Sequence, residues 1–170
     1  MISLELRQAF AVARDAVRLE PEWAMMNSIP EGVRGGPGAE EVPGDYLEFL
    51  SVANGAIFGR IVIFDAATIG EMQFYADETE GAPVRLGRES WFCFGKVNDD
   101  PLFISRRDGS VWGFPDMGII WWQSDIFERL AGDLDEFLLR CVFGRGYLSV
   151  SGASEGDQWW RLLTHTGSAE

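Results

Sequence analysis

The chain is poor in the residues that most soluble chemistry needs. It holds one histidine, His165, near its C-terminal end, two cysteines, Cys93 and Cys141, and one lysine, Lys96, in 170 residues. A Ser–His or Cys–His nucleophile pair would depend on His165, and a base close to a chain end is poorly placed because termini are ordered only where something ties them down. A zinc site needs three or four closely spaced His or Cys ligands, which this inventory does not supply. The two cysteines share no close spacing and sit in apolar contexts, beside Phe92 and Phe94 or beside Val142 and Phe143. They read as buried reduced thiols. Positive charge is also scarce: 14 basic against 27 acidic residues give a net charge of −13. Such a mean field repels phosphate, so neither nucleic acid nor an anionic membrane is a natural partner. The longest apolar runs, such as Ile61 to Phe64 and Ile119 to Trp122, fall far below the roughly 18 residues that span a bilayer. The N-terminus alternates apolar and polar residues and lacks a basic segment followed by an apolar one, so no signal peptide and a cytoplasmic location are expected.

What the chain does have is enough apolar surface for one core: 46% hydrophobic and 13% aromatic residues. Residues 4–19 place Leu6, Ala9, Phe10, Ala13, Ala16 and Val17 on one helical face, with Ser3 as N-cap and Pro21 as the stop. Trp23 to Ile29 is ambiguous. Pro30 to Pro43 reads as an acidic, Gly-rich loop; no strand precedes it and no Lys-Ser/Thr follows, so it is not a phosphate loop. A second helix opens at Pro43-Gly44-Asp45, buries Tyr46, Phe49, Leu50 and Ala53, and stops at Asn54-Gly55. Ile57 to Phe64 reads as one strand with a bulge at Gly59. Ile69, Met72, Gln73 and Ala76 suggest a short helix, followed by an acidic loop over 77–88. Strands are expected at Trp91 to Val97, Leu102 to Arg106, Val111 to Phe114 and Ile119 to Gln123. Asn98-Asp99-Asp100-Pro101 and Asp108-Gly109 supply the turns. Ile126 to Leu130 is a strand or a helix. Asp133 and Glu136 form a capping box for a helix buried through Leu134, Phe137, Leu138 and Cys141. Ser149 to Gly156 looks like loop, and Asp157 to Leu163 like one or two docked helical turns. Helices flanking consecutive hairpin strands give an α+β fold with a mainly antiparallel sheet.

Three carboxylate sets stand out: Asp77/Glu78/Glu80, Asp99/Asp100 and Asp133/Asp135/Glu136. The last serves a helix start, and Asp99/Asp100 precedes Pro101 in a turn, where aspartate bonds local backbone. No calcium-loop spacing is present, and neither a catalytic group, a metal nor a cofactor is expected. Trp121 and Trp122, adjacent on an expected strand, would point to opposite faces, one of them core.

Two stretches resemble the SUKH superfamily, which contains fungal cell-wall-synthesis regulators and many bacterial toxin-immunity proteins. Val42 to Gly55 is similar to its N-terminal signature of a proline, an acidic-aromatic pair, an apolar pair and an Asn-Gly stop. Trp91 to Gly95, Leu102 to Ser105 and Gly109 to Trp112 resemble its central strands, and Leu130 to Leu138 its strand-then-helix ending, which favours a strand over 126–130. The resemblance covers roughly residues 40–140, within a domain of 1–144. It departs at the Gly-rich insertion near 32–41 and at an extension over 145–170, partly flexible with a short docked helix. It implies one α+β domain with a twisted sheet of about five or six strands and helices packed against it.

The resemblance further implies a non-enzymatic immunity protein that neutralises a cognate bacterial toxin domain, a nuclease or other nucleic-acid-acting enzyme. The acidic charge agrees, since such toxins carry basic grooves. Two other readings stand beside it: a regulatory scaffold with an endogenous partner, and a carboxylate-based enzyme or small-ligand binder. A monomer or weak homodimer is expected. The partner surface is expected to be bordered by the acids Asp77, Glu78, Glu80, Asp99 and Asp100 and by the aromatics Trp112, Phe114, Trp121 and Trp122, because charge sets encounter while buried aromatics supply affinity.

Overall fold

The computed structural model describes residues 1–37 and 42–169. Gly38, Glu40 and Glu41 of the expected acidic loop lie outside the described residues. Helix α1, Leu4–Leu19, starts where the Ser3 hydroxyl accepts a hydrogen bond from Leu6 N at 3.2 Å. It buries Leu6, Phe10 and Ala13, and its chain turns extended at Glu20, one residue before Pro21. A 3-10 turn at Trp23–Met25 and strand β1, Asn27–Ser28, follow. Helix α2, Gly44–Val52, buries Tyr46, Phe49 and Leu50. Beyond it Gly55 has φ +70°, and a Cβ there would meet Asp65 N at 2.9 Å. Only glycine fits that turn without strain.

The stretch expected as one strand with a bulge is two strands, β2, Ala56–Phe58, and β3, Ile61–Ile63. Phe58 pairs with Ile61, so Gly59-Arg60 is a two-residue hairpin turn, with Gly59 at φ +61°. Glycine at the first turn position supports a reversal as readily as a bulge, and the reversal keeps Phe58, Ile61 and Ile63 buried. Helix α3, Ile69–Met72, runs into a 3-10 turn at Gln73–Ala76. Strands β4, Trp91–Val97, β5, Asp100–Ser105, β6, Val111–Gly113, and β7, Glu128–Ala131, complete the sheet. Asp100 therefore belongs to a strand, and only Asn98-Asp99 form the turn. The seven strands lie in chain order, β1 to β7, each antiparallel to its neighbour. The fold is α+β, one domain with an open antiparallel sheet and helices packed on it.

Residues 119–123 are not a strand: Trp121–Gln123 is a 3-10 turn. The edge of β6 that such a strand would occupy is taken by β7, through Val111–Ala131, Trp112–Arg129 and Gly113–Glu128. The intervening chain, starting at Pro115, is left outside the ladder, so Trp121 and Trp122 do not alternate across a sheet. Helix α4, Leu134–Phe137, has the expected start: Asp133 Oδ1 accepts from Glu136 N at 2.8 Å, and Glu136 Oε2 accepts from Gly132 N at 2.6 Å. It continues as a π turn over Leu138–Val142. Helix α5, Gly146–Ser151, takes in Ser149, Val150 and Ser151 of the expected Ser/Gly-rich loop, which begins only at Gly152 with φ +65°. Helix α6, Gln158–Thr166, is nine residues long and capped by Asp157.

The core runs from the first helix to the last. Phe10 lies 5.9 Å from Phe49, 6.0 Å from Phe58 and 5.0 Å from Phe143, ring to ring, and Trp159 lies 5.0 Å from Phe58. Trp159 Nε1 donates to the Val142 carbonyl at 2.7 Å, satisfying an acceptor at the end of the π turn. Cys93 and Cys141 are buried and free, and burial pushes both thiols above their ordinary range. Phe49 is fully buried, so Phe49→Ala is expected to lower stability by about 3–5 kcal/mol through the cavity it leaves. Urea denaturation checks this, and an unshifted midpoint would contradict the placement.

Candidate functional site

The β4–β5 turn is held in place from two sides. Asn98 has φ +53°, a left-handed conformation that asparagine tolerates better than most residues. Its backbone N donates to the Arg60 carbonyl at 2.8 Å, and its side-chain Nδ2 donates to the Ser151 carbonyl at 3.1 Å. The turn is thereby tied to the β2–β3 hairpin and to the end of α5. This fixes the backbone that carries Asp99 and Asp100.

A second wall comes from the turn after α3. Gln73 is buried, and its Nε2 donates to the Cys93 carbonyl at 2.7 Å while its Oε1 accepts from Cys93 N at 3.0 Å. With Gln73 locked, the next two residues project Phe74 and Tyr75, whose rings stack at 4.2 Å. The third wall is the chain from Met117 to Trp122. Trp121 anchors it, 5.9 Å from Tyr75 and 5.7 Å from Phe114, with Trp122 set perpendicular to it at 5.8 Å.

Between these walls lies an open cleft of about 960 Å³, lined among others by Arg60, Asp99, Asp100, Met117 and Trp122. Its apolar residues are not covered: Phe74, Met117, Ile119, Ile120 and Trp122 are each between 42% and 54% exposed. A contiguous set of large exposed apolar side chains marks an interaction surface more often than an accident of folding.

The cleft is also acidic. Asp100 is half-buried, and its carboxyl is pushed up to about 6, first by burial and then by the charges of Asp99 and Asp116. The Tyr75 hydroxyl is raised, chiefly by burial. Arg60, the one cation among the described lining residues, has its ion pair with Asp157, at 3.9 Å, outside the cleft.

Of the residues expected at a partner surface, Asp99, Asp100, Trp121 and Trp122 come together here. Phe114 is buried against Trp121 and Phe127, where it supports the wall from beneath. Trp112 lies elsewhere, half-buried between Trp91 at 5.6 Å and Phe127 at 5.3 Å, with Nε1 donating to Ser110 Oγ at 2.8 Å. Asp77 accepts two hydrogen bonds from Arg88, Glu78 faces Arg85 at 3.9 Å, and Glu80 is exposed in the same loop. None of these three acids lines the cleft. Phe74, Tyr75, Met117, Ile119 and Ile120 were not anticipated. Two signals pointed to them: Phe74 falls off the buried stripe of Ile69, Met72, Gln73 and Ala76, and Pro115 and Gly118 punctuate the run read as a strand.

A second groove of about 400 Å³ lies between α1 and α6, with Val12, Asp15, Leu19, Trp23 and His165 on its walls. The His165 ring is 6.2 Å from that of Trp23. Among the described residues, no group of three or more His, Cys, Asp or Glu side chains could hold a metal ion, and no helix is long and apolar enough to cross a membrane. No protein-family model matches the chain, and no curated protein matches it in sequence.

Two measurements follow from this geometry. Asn98→Ala is expected to cost about 1–3 kcal/mol, from left-handed strain and a lost hydrogen bond. Asn98→Gly should recover the strain part, and equal losses for both would refute it. Asp100 has a folded-state pKa above its unfolded one, so its contribution to stability is complete below the ordinary carboxyl range near 3.8 and is lost as pH rises through about 6. Asp100→Asn should therefore match the wild type at pH 4 and exceed it at pH 8 in denaturation midpoint; a pH-independent difference would count against the raised value.

Proposed function

We propose that this protein is a non-enzymatic immunity protein that binds and neutralises a cognate toxin domain of a bacterial polymorphic or contact-dependent system. The carrying observation is the cleft: uncovered Phe74, Met117, Ile119, Ile120 and Trp122 beside carboxylates, on turns tied to a sheet. Interfaces draw most of their affinity from a few aromatic or apolar anchors in a desolvated centre, while rim charge sets encounter rate and register. This cleft supplies both. Support also comes from the SUKH-like stretches: Tyr46, Phe49 and Leu50 are buried on α2, and Gly55 takes its turn at positive φ, as a fold signature requires. The charge of −13 favours a basic partner, and a toxin acting on nucleic acid carries such a surface.

The test is co-expression with each toxin domain encoded beside this chain's gene, scored by survival, with affinity measured by calorimetry. Wild-type chain should rescue growth. Ile120→Asp and Trp122→Ala should each weaken binding by at least about tenfold while leaving the thermal midpoint unchanged. Neighbouring genes without a toxin domain, or full rescue by folded Ile120→Asp, would overturn the reading.

A further inference from the structure

The apolar rings of the cleft form a run rather than a scatter. Phe74, Tyr75, Trp121 and Trp122 follow one another at 4.2, 5.9 and 5.8 Å between ring centres. Asp99 and Asp100 line the same cleft as these rings, and the Asp100 carboxyl is pushed up by burial and by the charges of Asp99 and Asp116. Among the described residues, no hydrogen bond or ion pair reaches the Asp100 carboxylate, and Arg60 faces Asp157 at 3.9 Å. A π-rich wall thus stands beside two carboxylates that form no ion pair among the described residues, with Arg60 turned toward Asp157.

Resting on the partner-binding reading above, we infer that the cleft seats an arginine of the partner protein, its guanidinium between Asp99 and Asp100 and its apolar neighbours in sequence along the Phe74–Tyr75–Trp121–Trp122 wall. Charge complementarity selects this occupant. A second copy of the chain, placed by a two-fold axis through the cleft, would bring the Asp99–Asp100–Asp116 group against itself, and like charges juxtaposed in an interface oppose binding. Nucleic acid would meet the same repulsion. Arginine suits the site better than lysine because its planar guanidinium stacks on aromatic faces and bonds a carboxylate through two N–H groups, and it is more weakly hydrated. Ionised Asp100 gains an ion pair that it lacks among the described residues.

The experiment uses the full chain, isotope-labelled, titrated by NMR with acetyl-Leu-Arg-Leu-amide and with the same peptide carrying citrulline, the neutral isostere of arginine, or lysine. The arginine peptide should shift resonances over 74–75, 98–100 and 116–122, and bind at least about tenfold tighter than the citrulline peptide. Lysine should fall between them. Asp99→Asn/Asp100→Asn should bring the arginine peptide to the citrulline level and leave citrulline unchanged. Equal binding of the arginine and citrulline peptides, shifts elsewhere, or no saturable shift at millimolar peptide would overturn the inference. Peptide-independent shifts of the cleft with protein concentration would do so in favour of a second copy. Against the toxin domain the two ideas separate: full neutralisation by Ile120→Asp removes the binding role, whereas its loss in Ile120→Asp with unchanged affinity in Asp99→Asn/Asp100→Asn removes only the arginine seat.

Discussion

One buried amide organises the functional face. Strand β3 ends at Ile63, which pairs with Gly95, so the earlier part of β4 has no strand on that side. The Gln73 side chain takes the vacant place, donating to one backbone group of Cys93 and accepting from the other, as a neighbouring strand would. Buried backbone groups must be paired, and an irregularity between Cys93 and Gly95 lies just beside this contact. Because the amide must reach β4, the turn that carries it is pressed onto the sheet, and Phe74 and Tyr75 are set at the mouth of the cleft. The aromatic wall is a by-product of a hydrogen-bonding requirement inside the molecule.

The opposite wall comes from topology. With β6 and β7 adjacent, the connection between them must leave the sheet and return to it. It does so over rings, Phe114 and Phe127 lying 4.9 Å apart beneath it and Trp121 packing on Phe114. A connection anchored by one tryptophan can leave its other apolar residues in solvent without losing its place. That explains how Ile119, Ile120 and Trp122 stay exposed while Trp121 is half-buried against Phe114.

Local signals were legible where the side chain that decides the structure lies within a few residues of it. The Ser3 and Asp133 caps, the stripe of α1, the stop after α2 and the extent of β4 could all be read from the chain. Position 59 was read correctly as a glycine of special geometry, but whether it bends a strand or reverses it depends on what Phe58 and Ile61 bury across the molecule. The 119–123 stretch carries strand-forming residues, and only the competition of β7 for the same edge excludes it from the ladder. Four of the cleft's lining residues were anticipated, Asp99, Asp100, Trp121 and Trp122. Phe74 and Tyr75 depend on α3 being brought over β4 by Gln73, a contact between residues twenty positions apart with no pattern of its own, and Met117, Ile119 and Ile120 on the course of the β6–β7 connection.

The strands follow one another in space as they do along the chain, so the sheet can assemble from neighbour to neighbour as the polypeptide emerges from the ribosome. The aromatic cluster cannot. Phe10 and Phe58 are made early, yet Phe143 and Trp159, which cover them, come from the last part of the sequence, and Asp157 must arrive before the Tyr147 hydroxyl finds its acceptor at 3.0 Å. During synthesis, one side of a nearly finished sheet therefore presents bare phenylalanine rings until α6 emerges. A nascent chain stalled before Trp159 would hold native hairpins beside an open greasy face, the kind of surface that chaperones and proteases recognise.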